Sequence, residues 1–480
     1  MKSFGERALT LFPGGSNGEY GLPQELVAVL ESGRGSRVWD TNGREYLDMT
    51  MAWGAALVGR AHPKVVEATT CQAQRGINFA SVNAKAVELA ERIASVSPCV
   101  ERIRFVTSGT EATMLCLRVA QVATGRPKVL KFEGAYHGQH PIGITSLLGG
   151  QLREFPAADV SGAGAPWVEH EVLVAPFNNL RATEDIIVAH ASELAAVIVE
   201  PIHRCLTPVP GFLDGLRALT REQGLVLIFD EVVTGFRLAL GGAQEYYGVV
   251  PDLVAYGKAL GGGFPIGAFG GRADLMEVVE EHRLPGPGYA WSASTGGGNP
   301  VCAAAALATL DILSGKGVYS NLHGLGAKLR ERLKEVLQAH GEVAQILGDG
   351  PLAQIAFSAT PVTDHRGWLA SDRERGRALM LELLRSGIFL NPMGTKLYLS
   401  LAHDERAIEE FVTHFSAALE ATRRSTQPDS PRALNPENRS PKPERNPNSQ
   451  SQNVFADTIR DSAFCIPSDF GDSEFLRPHN

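Results

Sequence analysis

The chain has 480 residues, 44% hydrophobic and 20% charged, with a formal net charge of −8 and a pI of about 5.9. That is the composition of a globular protein of two or three domains with a large core. The acidic balance argues against nucleic acid as a partner, and no apolar run approaches the ~20 residues that span a bilayer. The six cysteines form no C-x-x-C pair, so neither a zinc site nor a disulfide framework is expected, nor any other metal site. The start, Met1 to Arg7, has no apolar stretch behind its charges; no secretory signal is read and the expected compartment is the cytoplasm.

Residues 1 to about 35 read as an irregular arm, turn-rich at Phe12-Pro-Gly-Gly-Ser16. Asn42-Gly43 predicts a hairpin between short strands over Gly35–Asp48. The apolar stretch Met49–Val58 follows, and on composition its Trp53 reads as core packing. Helices are predicted from about Pro63 to Arg75 and Ala84 to Ser95, then a strand from Val100 to Val106. That strand breaks into Ser108-Gly109-Thr110-Glu111, with a helix expected from Thr113 to about Thr124. A Ser-Gly-Thr turn at a helix N-terminus suits an anion, because free N–H groups and the helix dipole point at it. The same turn also reads as a plain N-cap with Glu111 in the first turn. Lys128–Phe132 predicts another strand, running into the glycine-rich loop of Tyr136 and His137. An aromatic there either stacks on a planar ring or covers the core. Residues 149–166 read as a surface loop.

Leu194–Val199 predicts a strand ending in Glu200-Pro201, and a helix is expected near Pro210–Gln223. Two further buried strands follow, Leu225–Phe229 ending in Asp230-Glu231 and Leu253–Tyr256 followed by Lys258 and three glycines. Strands of this kind bring both side chains to one carboxyl edge of a parallel sheet, where open α/β sheets bind ligands. A Lys at that edge can form a Schiff base with a carbonyl cofactor, and an Asp can pair with a protonated pyridine nitrogen, the two groups that pyridoxal phosphate chemistry needs most. Singly, each has a plainer reading: Lys as a solvated residue, Asp-Glu as a cap. A return strand is expected over Gly267–Arg272, and a second polar glycine-rich stretch, Ser292 to Asn299, opens an alanine-rich helix to Leu313. The remainder predicts a helix over 321–340, a strand pair within Val343–Phe357, a helix over 372–386, strands at Ile388 and Lys396, and a last helix from Asp404 to about Arg424. From Ser425 the chain is rich in Pro, Asn, Ser and charge and is expected to be largely disordered.

Ser108–Ala112, Tyr136-His-Gly138, Val199-Glu-Pro201, Phe229-Asp-Glu-Val232, Thr234–Arg237, Gly257-Lys258 with Gly261–Gly263, and Gly298-Asn-Pro300 stand in order. As a set, over Phe12–Arg423, they resemble the class III aminotransferases, pyridoxal phosphate enzymes of fold-type I. The stretches at Lys131, Ala243–Asp252 and Gly267–Arg272 are most similar to the glutamate-1-semialdehyde 2,1-aminomutase branch. The resemblance implies an α/β fold, a large domain with a mostly parallel central sheet plus a smaller α+β domain. Expected boundaries are an arm with part of the small domain at 1–60, the large domain at 61–300, the small domain at 301–424 and a tail at 425–480.

It also implies roles. Lys258 would hold pyridoxal 5'-phosphate and move the proton at the substrate carbon; Asp230 would keep the pyridine nitrogen protonated. Ser108, Gly109 and Thr110 would bind the phosphate, and Thr295 the phosphate of a neighbouring subunit in a homodimer. Tyr136 would stack on the ring with Val232 on the other face, and His137 and Glu200 would lie near the cofactor. Trp53 and Ser16 match substrate-pocket positions. Two departures set this chain apart from the aminomutases: an arginine of the arm falls at Glu19, and a glutamate before the last small-domain strand is lost where Met393–Tyr398 carries Lys396. The expected activity is therefore amino transfer between a small amino donor and a carbonyl acceptor, with aminomutase-type isomerisation as the alternative. A nucleotide-binding oxidoreductase predicts G-x-G-x-x-G after an early strand, a spacing Gly257–Gly263 lacks. A non-catalytic relative is opposed by the intact Asp230 and Lys258.

Overall fold

The computed structural model of the protein describes residues 2–426 apart from 19–20, 149, 163–164, 284–287 and 392–393. Glu19, Met393 and the expected tail beyond Thr426 therefore lie outside the described residues. In chain order the strands are β1 Leu30–Arg34, β2 Arg37–Asp40, β3 Glu45–Asp48, β4 Arg102–Val106, β5 Lys128–Phe132, β6 Val172–Ala175 and β7 Leu194–Val199. Then come β8 Val226–Asp230, β9 Leu253–Tyr256, β10 Gly267–Gly271, β11 Gln345–Leu347, β12 Leu352–Ala356, β13 Ile388–Phe389 and β14 Lys396–Tyr398.

The central sheet has seven strands in the order β4-β10-β9-β8-β7-β5-β6. Only β10 runs against its neighbours. This is the mostly parallel sheet of a fold-type I α/β protein. Its inner strands β7 and β9 are continuous apolar runs, and β8 is one up to Asp230, because both faces are covered. Side chains alternate between two cores: Val197, Val199, Leu227, Phe229 and Val254 pack on one face, Ile198, Val226, Ile228, Leu253 and Ala255 on the other. In such a sheet β4, β5, β7, β8 and β9 all end at one edge. Asp230 is the last residue of β8, and Ser108, Tyr136, Glu200 and Lys258 follow the other ends within four residues.

Two smaller sheets, β1-β2-β3-β13 and β11-β12-β14, share a third core of Leu47, Leu329, Leu379, Phe411 and their neighbours. The hairpin at Asn42-Gly43 and the β11–β12 pair match expectation. Ile388 and Lys396 do lie in strands, but in different sheets. The arm is less irregular than expected. Phe4–Leu11 is a helix, closed by a capping box in which Ser3 and Glu6 satisfy each other's backbone N–H, and β1 follows. Strand β6 and the helix Leu180–His190 also lie outside the sequence expectations. Among the described residues no single helix is long and apolar enough to cross a membrane.

Candidate active site

Asp230 ends β8 with its side chain almost fully buried. Its Oδ2 lies 2.7 Å from His137 Nδ1, and its Oδ1 accepts the Val232 N–H at 3.1 Å. The other nitrogen of His137, Nε2, is buried without a hydrogen-bond partner among the described residues. The Asp230 carboxyl is thus held in place by one ring and one backbone donor.

The loop that carries Tyr136 and His137 is wrapped around Lys131. This fully buried ammonium donates to the carbonyls of Ala135, Ile142, Gly143 and Thr145 at 3.0, 3.3, 3.0 and 2.6 Å. Burial pushes its amine down to about 7 against the pull of Glu200 and Asp230. Lys131 served in the sequence only as a mark of resemblance; its structural role depends on burial, which no local pattern announces. At the mouth of the same loop, burial raises the Tyr136 phenol above its usual range. The Tyr136 N–H donates to Glu200 Oε2 at 3.3 Å.

The helix at β4's end begins at Gly109 rather than Thr113, with Ser108 as its N-cap. Both readings of this turn meet here. Ser108 Oγ accepts the Glu111 N–H at 3.2 Å and donates to Glu111 Oε2 at 3.0 Å, so the hydroxyl is engaged within the cap. The N–H groups of Gly109 and Thr110 have no partner among the described residues, leaving two donors at the positive end of a 16-residue helix. Gly109 is required by contact: a Cβ there would lie 2.8 Å from both methyls of Val232. Gly138 is required by close approach and by φ +103, since a Cβ would lie 2.7 Å from Thr110 Cα.

Lys258 follows β9 with φ +40, a left-handed conformation that costs a non-glycine residue energy and recurs where surroundings enforce it. Burial lowers its amine below the ordinary lysine value, opposed by Asp230 and Glu200. Trp53 is 41% exposed, so the core-packing expectation is overturned. It belongs to the left-handed run Met51-Ala52-Trp53-Gly54, in which Met51 is buried and Trp53 is exposed. Asp48 Oδ1 accepts three donors from Thr50 and Met51 at the start of this run. The fully buried Arg237 binds the Gly54 carbonyl at its end.

Thr295 and Ser16 are not hydrogen-bonded or ion-paired to this group among the described residues. Thr295 is exposed and its carbonyl accepts from Asn78 at 3.0 Å. Ser16 bonds within its own turn, to the Gly18 carbonyl. Sequence reasoning also passed over Arg204, whose guanidinium lies 5.8 Å from the centroid of the Tyr136 ring.

A sheet edge that gathers an amine, a buried carboxylate and an open helix N-terminus defines a class of enzyme, and comparison with known proteins agrees. The family model described as "Aminotransferase class-III" matches residues 22–419. A Thermomicrobium roseum protein named glutamate-1-semialdehyde 2,1-aminomutase is 41% identical, over 87% of this chain and 97% of its own. One from Brevibacillus brevis, named glutamate-1-semialdehyde 2,1-aminomutase 2, is 40% identical over 80% and 89%. Among solved structures, an omega-transaminase from Sphaerobacter thermophilus superposes with a TM-score of 0.82 at 36% identity, covering 88% of this chain and 97% of that one. A β-phenylalanine aminotransferase from Variovorax paradoxus gives 0.76 at 30% identity, over 87% and 92%. The chain belongs to the class III aminotransferases, a family of pyridoxal phosphate-dependent enzymes.

Proposed function

We propose that this protein uses pyridoxal 5'-phosphate, held by Lys258, to move an amino group on a small-molecule substrate. The carrying observation is the convergence of Lys258, the His137-braced Asp230 and the open N–H groups of Gly109 and Thr110 at one sheet edge. The donor set fits the cofactor. A buried, aimed carboxylate suits a protonated pyridine nitrogen, two free N–H groups at a helix N-terminus suit a phosphate, and Tyr136 and Val232 supply flat and branched surfaces for a ring. When bound, the cofactor supplies an electron sink for the substrate carbon. The Lys258 amine takes and returns the proton at that carbon, and its lowered pKa keeps a neutral fraction available for this work. Glu200, fixed by the Tyr136 N–H, acts on the amine in the opposite direction to burial.

Two outcomes follow from this one machinery. The curated relatives' names favour isomerisation, in which the amino group leaves and returns within one molecule. Transfer between two molecules, the first expectation from sequence, is supported by the transaminases among the solved neighbours and by the expected loss, in the stretch that carries Lys396, of the glutamate the resemblance implies for the aminomutases. The reading extends to a cytoplasmic homodimer, supported by Thr295 lying in an exposed loop outside the Lys258 group.

The test is the visible band of the purified protein. A band that bleaches with one amino donor and returns with a keto acid, with donor nitrogen label appearing in the acceptor, establishes transfer. Turnover of an amino aldehyde that incorporates no external label establishes isomerisation. No band in wild type after pyridoxal phosphate is supplied overturns the cofactor reading.

A further inference from the structure

The turn after Glu200 carries an arginine that makes no ion pair among the described residues. His203 and Leu206 exchange backbone hydrogen bonds of 2.9 and 2.8 Å, which puts Arg204 and Cys205 at the tip. Arg204 has φ +62, where glycine is the low-cost residue, so a side chain is kept there against backbone preference. Its partly buried guanidinium faces the Tyr136 ring and makes no hydrogen bond or ion pair among the described residues.

The tip rests against the strand that bears Lys396. Cys205 Sγ lies 3.9 Å from the Ala353 carbonyl in β12, and β12 pairs with β14 in the register Gln354–Lys396. Tyr398, two residues on and so on the same strand face as Lys396, packs in one cluster with Ile202 and Cys205. The Lys396 ammonium is also without a hydrogen bond or ion pair among the described residues. Arg204 and Lys258 both act on Lys396 through space and, with burial, push its amine down to about 8. The facing acids are Glu200, which accepts from Tyr136, and Asp230, which is committed to His137. Two like charges held together, partly out of water and with no acid of their own, are costly until an anion joins them.

We propose that Arg204 and Lys396 seat a carboxylate of the substrate, so that the enzyme acts on an amino acid or amino-oxo acid rather than on a simple amine. The guanidinium fork matches a planar carboxylate and the ammonium adds a point charge. This assignment names the substrate class for the site proposed above and rests on that reading.

The test titrates the holoenzyme calorimetrically with glutarate, a dicarboxylate with no amine to react. Arg204→Gly suits the left-handed backbone, so it keeps the fold. It is expected to retain the visible cofactor band while binding glutarate roughly tenfold or more weakly than wild type. Lys396→Gln weakens binding in the same direction, and Arg204→Lys restores part of it. Wild type that does not bind glutarate, or Arg204→Gly that binds it equally well, overturns the proposal with the band still present. Absence of the band from wild type overturns the cofactor reading instead, so the two failures are distinguishable.

Discussion

His137 Nδ1 stands 2.7 Å from Asp230 Oδ2, and neither side chain is appreciably exposed to water. The two come from different strand ends, so the contact ties the Tyr136 loop to the strand beside Lys258. Its consequence is electrostatic. A carboxylate fixed in a dry edge of the sheet acts on everything near it more strongly than it would in water.

The first prediction concerns Lys258. Burial lowers its amine from 10.5, and Asp230 pulls it partly back. Only the neutral amine captures a carbonyl. In cofactor-free protein, the rate of pyridoxal phosphate capture should therefore rise with pH and level off below 10.5. In Asp230→Asn the raising charge is gone, so the inflection should move to lower pH. Stopped-flow absorbance measures both curves; an inflection that stays put or moves upward contradicts the assignment.

The second concerns Lys131. Replacing it by Met leaves the carbonyls of Ala135, Ile142 and Thr145 without their donor, while that of Gly143 keeps the His137 N–H, at a cost of about 3 kcal/mol or more. The urea midpoint should fall, and limited proteolysis should begin to cut within residues 133–146. A variant as stable and as resistant as wild type would show that the loop holds itself.

The third isolates a packing contact. Gly109→Ala puts a methyl against Val232, an overpacking that costs roughly 1–3 kcal/mol and shifts the helix start. Cofactor affinity should fall. Adding Val232→Ala should recover most of the loss, which a double-mutant cycle measures as coupling between the two sites. Additive effects would mean that the contact is not the cause.

The fourth is a pH dependence of stability. Burial pushes His140, His365 and His403 down to about 4 from 6.5, and His203 well below 6.5. Between pH 6.5 and 4 the unfolded chain takes up protons on these rings and the folded chain does not. Stability therefore falls as pH drops through that window, by up to about 3 kcal/mol per ring. Urea midpoints at pH 7, 5.5 and 4.5 test this, and a flat profile would mean that the rings are not held neutral.

Apolar runs made β5, β7, β8 and β9 legible, together with the residues that follow them, but β6, a four-residue apolar strand buried on both faces, was missed. The helix at Phe4 was missed although Ser3-x-x-Glu6 is a capping box, because the surrounding glycines and prolines suggested irregular chain. Trp53 was misread because an apolar neighbourhood does not fix which of its side chains faces inward: in the same left-handed run Met51 is buried and Trp53 exposed. Lys131 and Arg204 were illegible for a different reason. One is defined by four carbonyls of the loop that wraps it, the other by making no ion pair among the described residues, and neither condition exists until the chain is folded.

The pairing of β3 with β13 joins Leu47 and Asp48 to Ile388 and Phe389, with most of the chain between them. At roughly 5–20 residues per second, a ribosome takes on the order of tens of seconds to supply the second strand after the first. Throughout that interval Leu47 and Met49, both buried in the finished protein, have no β13 to lie beside. The seven strands of the central sheet, all between Arg102 and Gly271, are synthesised earlier and without such a wait. Translation order thus lets the sheet edge bearing Lys258 form before the small sheets that flank it can close.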